Sequence, residues 1–225
     1  MTRQLAFELP LRTARGRADF FVAPSNAAAL AAVEGWRDWP GGRLLLTGRP
    51  GAGKSHLAQV WAGLVPGGAA AVTGADMAAA EVPALAAGGA VLVEAAEGAA
   101  GAGEVALFHL LNLLGQTGGH ILMTSRLVPR DWALGLPDLA SRVEAMPMAR
   151  LEAPCDALLS AVLVKLFADR QLAVSPAVIA HLVVRMERSL AAAQRLVARM
   201  DALSLARKGG VTRALADAAL AEQEA

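Results

Sequence analysis

Apolar positions along the chain follow two rhythms. Between residues 43 and 151, short apolar runs alternate with longer stretches of helical spacing; beyond 151 only the helical spacing continues. Residues 43–47 (RLLLT) form an uninterrupted apolar run too short for a helix and predict a buried strand. A turn at 48–53 and a helix at 54–64 follow. Residues 69–73 predict a second strand, 90–93 a third that ends at Glu94, and 121–124 a fourth. Before the fourth strand, residues 104–114 carry apolar side chains at 105, 107, 108, 110, 111, 113 and 114, a helical spacing that is apolar on most sides and predicts a well-buried helix. Strands alternating with helices predict a parallel sheet covered on both faces.

Upstream, residues 19–39 predict one helix, started at Pro24-Ser25-Asn26, where Ser25 or Asn26 can cap it. Residues 1–18 read as a flexible tail with apolar Leu5, Phe7, Leu9 and Leu11 before a basic run, Arg12, Arg15 and Arg17. Segment 74–103 is rich in Ala and Gly and is expected to contain loop. After 151, residues 157–170, 176–187, 189–206 and 212–222 predict helices; Ser175-Pro176 is a start signal and Gly209-Gly210 a separator. The expected fold class is therefore α/β, a parallel sheet flanked by helices and followed by a small all-helical domain. The expected divisions are tail 1–18, α/β domain 19–151 and helical domain 152–225.

Composition narrows the classes. The 225 residues hold 21 Lys and Arg against 20 Asp and Glu, so the net charge of +1 makes no global case for nucleic-acid binding. The 55% hydrophobic fraction is inflated by alanine, so the core must rest on the larger side chains. One cysteine, Cys155, allows no internal disulfide and fits a reducing compartment, where it reads as a small buried or half-buried residue. The N-terminus lacks a signal-peptide core, and the weakly polar stretch 82–93 is too short to span a bilayer. The expectation is a soluble, cytoplasmic protein with no membrane contact.

The chemistry concentrates at Gly48-Arg49-Pro50-Gly51-Ala52-Gly53-Lys54-Ser55, which fits GxxxxGK[ST] at every fixed position. Glycines let backbone N–H groups curl around phosphate oxygens, and the helix that follows presents its N-terminus to the anion. Lys54 is suited to the β- and γ-phosphates and the Ser55 hydroxyl to Mg²⁺. Gly48, Pro50, Gly51, Ala52, Gly53, Lys54, Ser55 and His56 are the nucleotide-binding candidates here, and the ligand class is a purine nucleoside di- or triphosphate. Such a site also needs an acid at the end of a neighbouring strand. Glu94 fills that place, as second candidate metal group and candidate catalytic residue. It is followed by Ala95 and Ala96, where many P-loop ATPases carry a second acid; Glu97 reads as a solvated loop residue. Good nucleotide binding with weak intrinsic hydrolysis is the expectation.

These motifs resemble the DnaA-related branch of the AAA+ ATPases, and within it the Hda-like regulators of replication initiation. Asp19-Phe20-Phe21-Val22 followed by Ser25-Asn26 resembles the family segment that lies against the adenine. Ile121-Leu122-Met123-Thr124-Ser125 resembles the strand carrying sensor 1, and Gly135-Leu136-Pro137-Asp138-Leu139-Ala140-Ser141-Arg142 the segment ending in the arginine finger. Arg188-Ser189-Leu190 stands where the family places sensor 2, at the start of a lid helix. The resemblance spans nearly the whole chain. It implies nucleotide contacts from Phe21, Val22, Asn26 and Arg188, and a catalytic Arg142 that follows a short helix at 137–141 and reaches a nucleotide bound by a neighbour. The chain departs from the family at Arg126, which stands where Asp is common and reverses the charge near the γ-phosphate.

Gln4-Leu5-Ala6-Phe7-Glu8-Leu9-Pro10-Leu11 resembles the peptide with which bacterial replication proteins bind the sliding clamp of DNA polymerase III. An extended tail can dock with Gln4 hydrogen-bonded and Leu5, Phe7 and Leu9 in apolar pockets. No basic helical segment suited to a DNA groove follows the last helices, so direct sequence-specific DNA binding is not expected. The resemblance thus implies a regulator that binds ADP or ATP with Mg²⁺, rides on the clamp and stimulates hydrolysis of ATP bound to the initiator DnaA, with homo-oligomers compatible. The alternatives are a helicase-loader-like adaptor and an autonomous P-loop ATPase or kinase.

Overall fold

A computed structural model describes residue 17, residues 20–207 and residues 209–222. The clamp-peptide candidates Gln4, Leu5, Phe7 and Leu9 lie outside these residues, as does Asp19. In chain order the elements are α1 (Ala27–Glu34), β1 (Arg43–Gly48), α2 (Lys54–Leu64), β2 (Ala70–Thr73), α3 (Val82–Ala86), β3 (Ala90–Glu94), α4 (Glu104–Thr117), β4 (His120–Ser125), α5 (Pro137–Glu144), β5 (Met148–Leu151), α6 (Asp156–Asp169), α7 (Pro176–Arg185), α8 (Leu190–Arg207) and α9 (Arg213–Ala221). Short 3₁₀ turns occur at 36–38, 40–42, 74–79, 96–99 and 129–131.

The strands form one parallel sheet in the order β2-β3-β4-β1-β5. Side chains of a strand alternate between faces, and the apolar runs fill both. Leu44 and Leu46 face α1 and α2, where they meet Leu30, Val33, Leu57 and Trp61. Leu45 faces the other way, with Val91, Val93, Ile121 and Met123, against Leu107, Leu110, Leu111, Leu139 and Val143 of α4 and α5. Parallel strands are stable where helices cover both faces, which explains why the strands read as continuous apolar runs. A third apolar cluster, built on Leu159, Leu163, Phe167, Leu182, Leu196 and Met200, holds α6 to α9 together.

Several expectations need correction. The helix expected over 19–39 is α1 alone, followed by two 3₁₀ turns; the stacked pair Trp39–Trp61, with ring centroids 5.5 Å apart, anchors this connection to α2. Strand β5 was not expected. Its four residues MARL alternate exposed and buried at the sheet edge, so they lack the apolar run that marked the other strands. The Ala/Gly-rich segment 74–103 contains the expected loop and strand β3, and adds α3 and two 3₁₀ turns that were not expected. Helix α4 buries one face only, with Val105 59% exposed on the other. Helix α5 extends to Glu144, so Arg142 lies in its last turn rather than after it. Cys155 is half-buried at the N-cap of α6, in line with a small packing residue.

Candidate functional site

The P-loop leaves β1 at Gly48 and winds into α2 at Lys54. Its lysine folds back on the loop: the Lys54 ammonium donates to the carbonyls of Gly48 at 2.6 Å and Arg49 at 3.0 Å. Phosphate oxygens are the stronger acceptors that such a loop exchanges for these carbonyls. Burial lowers the Lys54 pKa below its ordinary value; the charge of Glu97 opposes this shift and that of Arg126 adds to it. The Ser55 hydroxyl donates to Glu94 Oε2 at 2.7 Å. A hydroxyl and a carboxylate this close, beside the loop, are oxygen donors of the kind Mg²⁺ takes with phosphate and water. Ser55 and Glu94 therefore fit the expected metal pair, and among the described residues no cluster of three or more acid, histidine or cysteine side chains forms a different metal site.

The helical region closes onto the loop. The Leu190 N–H donates to the Gly51 carbonyl at 2.8 Å. Gly51 has φ +72°, and a Cβ there would lie 1.9 Å from Ser189 Oγ, so only glycine admits this contact. A cleft of about 290 Å³ remains between the loop and α8, lined by Lys54, Ser55, His56, Leu190, Ala191 and Gln194. Ala191 and Gln194 lack any phosphate-binding signature in the sequence, and Leu190 entered only as part of the Arg188-Ser189-Leu190 motif. Arg188 is engaged elsewhere: its guanidinium donates to Asp156 at 2.6 Å and to the Pro154 carbonyl at 3.2 Å, at the base of α6.

On the third side, Phe21 and Val22 are exposed, while Phe20 is buried and packs edge-on against His56 at 5.3 Å. Asn26 is buried and spent on backbone: it accepts from the Ala23 N–H and donates to the Phe21 carbonyl, both at 2.8 Å. It holds the 21–23 segment beside α2 and caps no helical N–H.

Past Glu94 the backbone kinks at Ala95, which has φ 48° and ψ 50°, a left-handed conformation unfavourable to a residue with a Cβ. The Thr124 hydroxyl accepts the Ala95 N–H at 3.1 Å, tying this kink to β4. The kink returns Glu97 to the sheet, so the expectation of a solvated loop residue is wrong. Its side chain is 7% exposed, and Oε1 accepts from the Arg126 N–H at 3.2 Å and from Arg126 Nε at 3.0 Å. Burial pushes the Glu97 pKa up, but hydrogen bonds from the Arg126 side chain and from backbone hold it below its ordinary value. Arg126 is therefore neutralised by Glu97, two positions that looked unrelated along the chain.

Arg142 stands apart from all of this. Its guanidinium lies over the Phe108 ring at 4.9 Å, and with Arg43 it lines a cavity near the start of β1, whereas the P-loop leaves the other end of that strand. The segment leading to it is pinned by Glu104, buried at the first turn of α4. Glu104 accepts the N–H groups of Gly135 at 3.0 Å, Leu136 at 2.6 Å and Gly101 at 2.7 Å. The Gly135 and Gly101 donors hold its pKa below the ordinary value, against burial. Sequence reasoning missed this role, since Glu104 reads as the acidic first residue of an ordinary helix.

The P-loop after β1, the acid that ends β3 one strand beyond β1's neighbour β4, the parallel 2-3-4-1-5 sheet and the helical cap together define the AAA+ P-loop fold. No sequence-family model matches the chain, and no curated relative matches it. Solved structures do. Domain III of the Thermotoga maritima replication initiation protein DnaA has a TM-score of 0.80 at 19% identity, over 95% of this chain and 98% of that one. AMPPCP-bound DnaA from Aquifex aeolicus gives 0.67 at 18% identity, over 85% and 68%. The Thermotoga maritima RuvB Holliday junction branch migration motor gives 0.64 at 18% identity, over 85% and 65%. The fold is thus that of the DnaA and RuvB AAA+ domains, with the helical region included. Among the described residues no helix is long and apolar enough to cross a membrane.

Proposed function

We propose that this protein binds an adenine nucleotide, ADP or ATP, with Mg²⁺ and acts on ATP held by a partner DnaA, stimulating its hydrolysis and so restraining replication initiation. Residues 19–151 serve as the nucleotide-binding domain and 152–225 as its lid. The nucleotide phosphates would be held by the loop N–H groups and Lys54, the metal by Ser55 and Glu94, and the base by the 20–26 segment. Bound Mg²⁺ would neutralise phosphate charge. The nucleotide site so described is supported by the AMPPCP held by the Aquifex DnaA structure.

The single observation that carries action on a neighbour is the placement of Arg142. It sits near Arg43, while the P-loop begins at Gly48, five residues on. Five strand residues span about 16 Å, too far for Arg142 to serve the chain's own phosphates. An arginine with no nucleotide of its own is suited to one supplied by another molecule, where such groups accelerate phosphoryl transfer by several powers of ten. The clamp-peptide resemblance at Gln4, Leu5, Phe7 and Leu9 adds a tether that would concentrate the protein on the DNA polymerase III sliding clamp.

The test is hydrolysis of DnaA-bound ATP with clamp loaded on DNA, with and without this protein, beside Arg142→Ala and Gln4→Ala. Stimulation lost in both variants, with ADP binding retained, is expected; stimulation indifferent to Arg142 refutes the reading. The RuvB likeness favours a second reading, an autonomous ATPase. It requires fast turnover by the isolated protein, and Ala95, where a second acid would stand, weighs against it.

A further inference from the structure

The Arg142 cavity has a second cation that nothing above uses. Its volume is about 510 Å³, and its walls include Pro40, Arg43, Arg142, Met146 and Pro147 with no carboxylate among them. Neither arginine has an ion-pair partner among the described residues. The two charges repel: the Arg43 pKa is lowered below its ordinary value, first by burial and then by Arg142. Unpaired cations held together at partial burial are unfavourable unless an anion joins them.

The fold also makes room for this arrangement. Arg43 Nη2 crosses to α4 and donates to the Leu111 carbonyl at 3.0 Å. A Cβ on Gly115, inside α4, would lie 2.8 Å from that same nitrogen. Glycine in a helix interior is less favourable than alanine, and here it leaves the space in which the Arg43 guanidinium lies. One nitrogen is fixed on Leu111, which leaves the remainder of the planar fork available to a phosphate.

We propose that Arg43 and Arg142 form a two-arginine phosphate site that takes the terminal phosphates of a nucleoside triphosphate bound by a neighbouring molecule. This deepens, and rests on, the reading of Arg142 given above. In the hydrolysis it serves, water supplies the attacking oxygen and the bond between the γ-phosphorus and the β–γ bridging oxygen breaks. The electron pair stays on the diphosphate, and the water protons pass to the released phosphate and solvent. Two guanidinium groups spread over the transferred group and the bridging oxygen match that charge shift better than one.

The experiment is single-turnover hydrolysis of ATP on DnaA against increasing concentrations of this protein, with clamp loaded on DNA. It separates the maximal rate from the half-saturating concentration for wild type, Arg142→Ala, Arg43→Gln and Arg43→Lys. The Gln variant keeps an amide donor toward Leu111 and removes the charge; the Lys variant keeps the charge and loses the fork. Expected is a maximal rate lowered about 100-fold in Gln, in the range seen on removing one oxyanion donor, and about 10-fold in Lys, with half-saturation and ADP affinity unchanged. A Gln variant within twofold of wild type overturns the proposal. So does a Lys variant as slow as Gln, since that marks a structural bridge. Stimulation that survives Arg142→Ala, or is absent in wild type, instead overturns the functional reading itself and this site with it.

Discussion

Glu104 offers the sharpest test of how the fold presents Arg142. The residue is 5% exposed, and its carboxylate accepts three backbone N–H groups, at 2.6, 2.7 and 3.0 Å. Two of them belong to Gly135 and Leu136, which lead directly into α5 and so into Arg142. Hydrogen bonds to an ionised group contribute about 1.5–3 kcal/mol each, and a buried donor left without an acceptor costs about 1–3 kcal/mol. Gly101 and Gly135 lie in exposed turns, where water replaces part of what is lost. Glu104→Ala is therefore expected to lose about 2–4 kcal/mol of stability, a fall of about 4–16 °C in Tm for a chain of this size.

The assay is urea unfolding followed by tryptophan fluorescence, where a lower midpoint at unchanged slope reports stability. The pH dependence carries its own sign. A carboxyl whose folded pKa is depressed contributes stability that is complete above the unfolded value, about 4.3 for Glu, and fades as pH falls through the folded value. The gap between wild type and Glu104→Ala should be constant at neutral pH and shrink below about pH 4. A loss under about 0.5 kcal/mol, the scale of ordinary surface substitutions, or a gap that widens in acid, refutes the claim that this carboxylate holds the 135–136 turn.

Three further outcomes follow from the site. Gly51→Ala puts a methyl 1.9 Å from Ser189 Oγ at a φ of +72°, so the start of α8 must lift off the loop; ADP affinity by calorimetry should fall by about tenfold or more, the scale of one lost packing and hydrogen-bond contact. Lys54→Ala should abolish the rise in Tm that saturating ADP produces, a rise worth about 2.7 kcal/mol when ligand stands at 100 times Kd. Arg126→Ala leaves the Glu97 carboxylate buried without its partner, and chemical unfolding should show a loss of about 1–3 kcal/mol that vanishes in the Arg126→Ala, Glu97→Ala double variant.

The parts of this protein that read easily from sequence are those whose cause is local. β1, β3 and β4 are apolar runs buried on both faces, and the P-loop needs its glycines and lysine at fixed spacing wherever it occurs. What escaped depends on distant partners. β5 is an edge strand whose four residues alternate, so nothing in MARL distinguishes it from a polar loop until β1 pairs with it. Glu97 looked solvated because its partner Arg126 lies 29 residues on, and Glu104 looked like a helix-start acid because its acceptor role serves residues 31 and 32 positions away. Arg188 shows the converse, a motif position whose side chain is bound to Asp156.

The sheet's polarity links the two halves of the functional reading. In a parallel sheet all strands end on one side, and the loops there build the nucleotide site. Here that side carries the P-loop after β1, Glu94 at the end of β3 and Thr124 near the end of β4. The chain must then return to the opposite side before β5 can run parallel to β1, and α5 is the return. Its last turn therefore delivers Arg142 to the edge where β1 begins, beside Arg43. A cation placed by the return helix cannot meet the phosphates bound at the strand ends of the same sheet. It can meet those of a second molecule stacked so that one sheet's starting edge faces the other's ending edge, a head-to-tail contact. Such an arrangement predicts that mixing Arg142→Ala protein with Lys54→Ala protein leaves stimulation of a partner's ATP to the Lys54 variant alone, because its arginine edge is intact while its own nucleotide site is not.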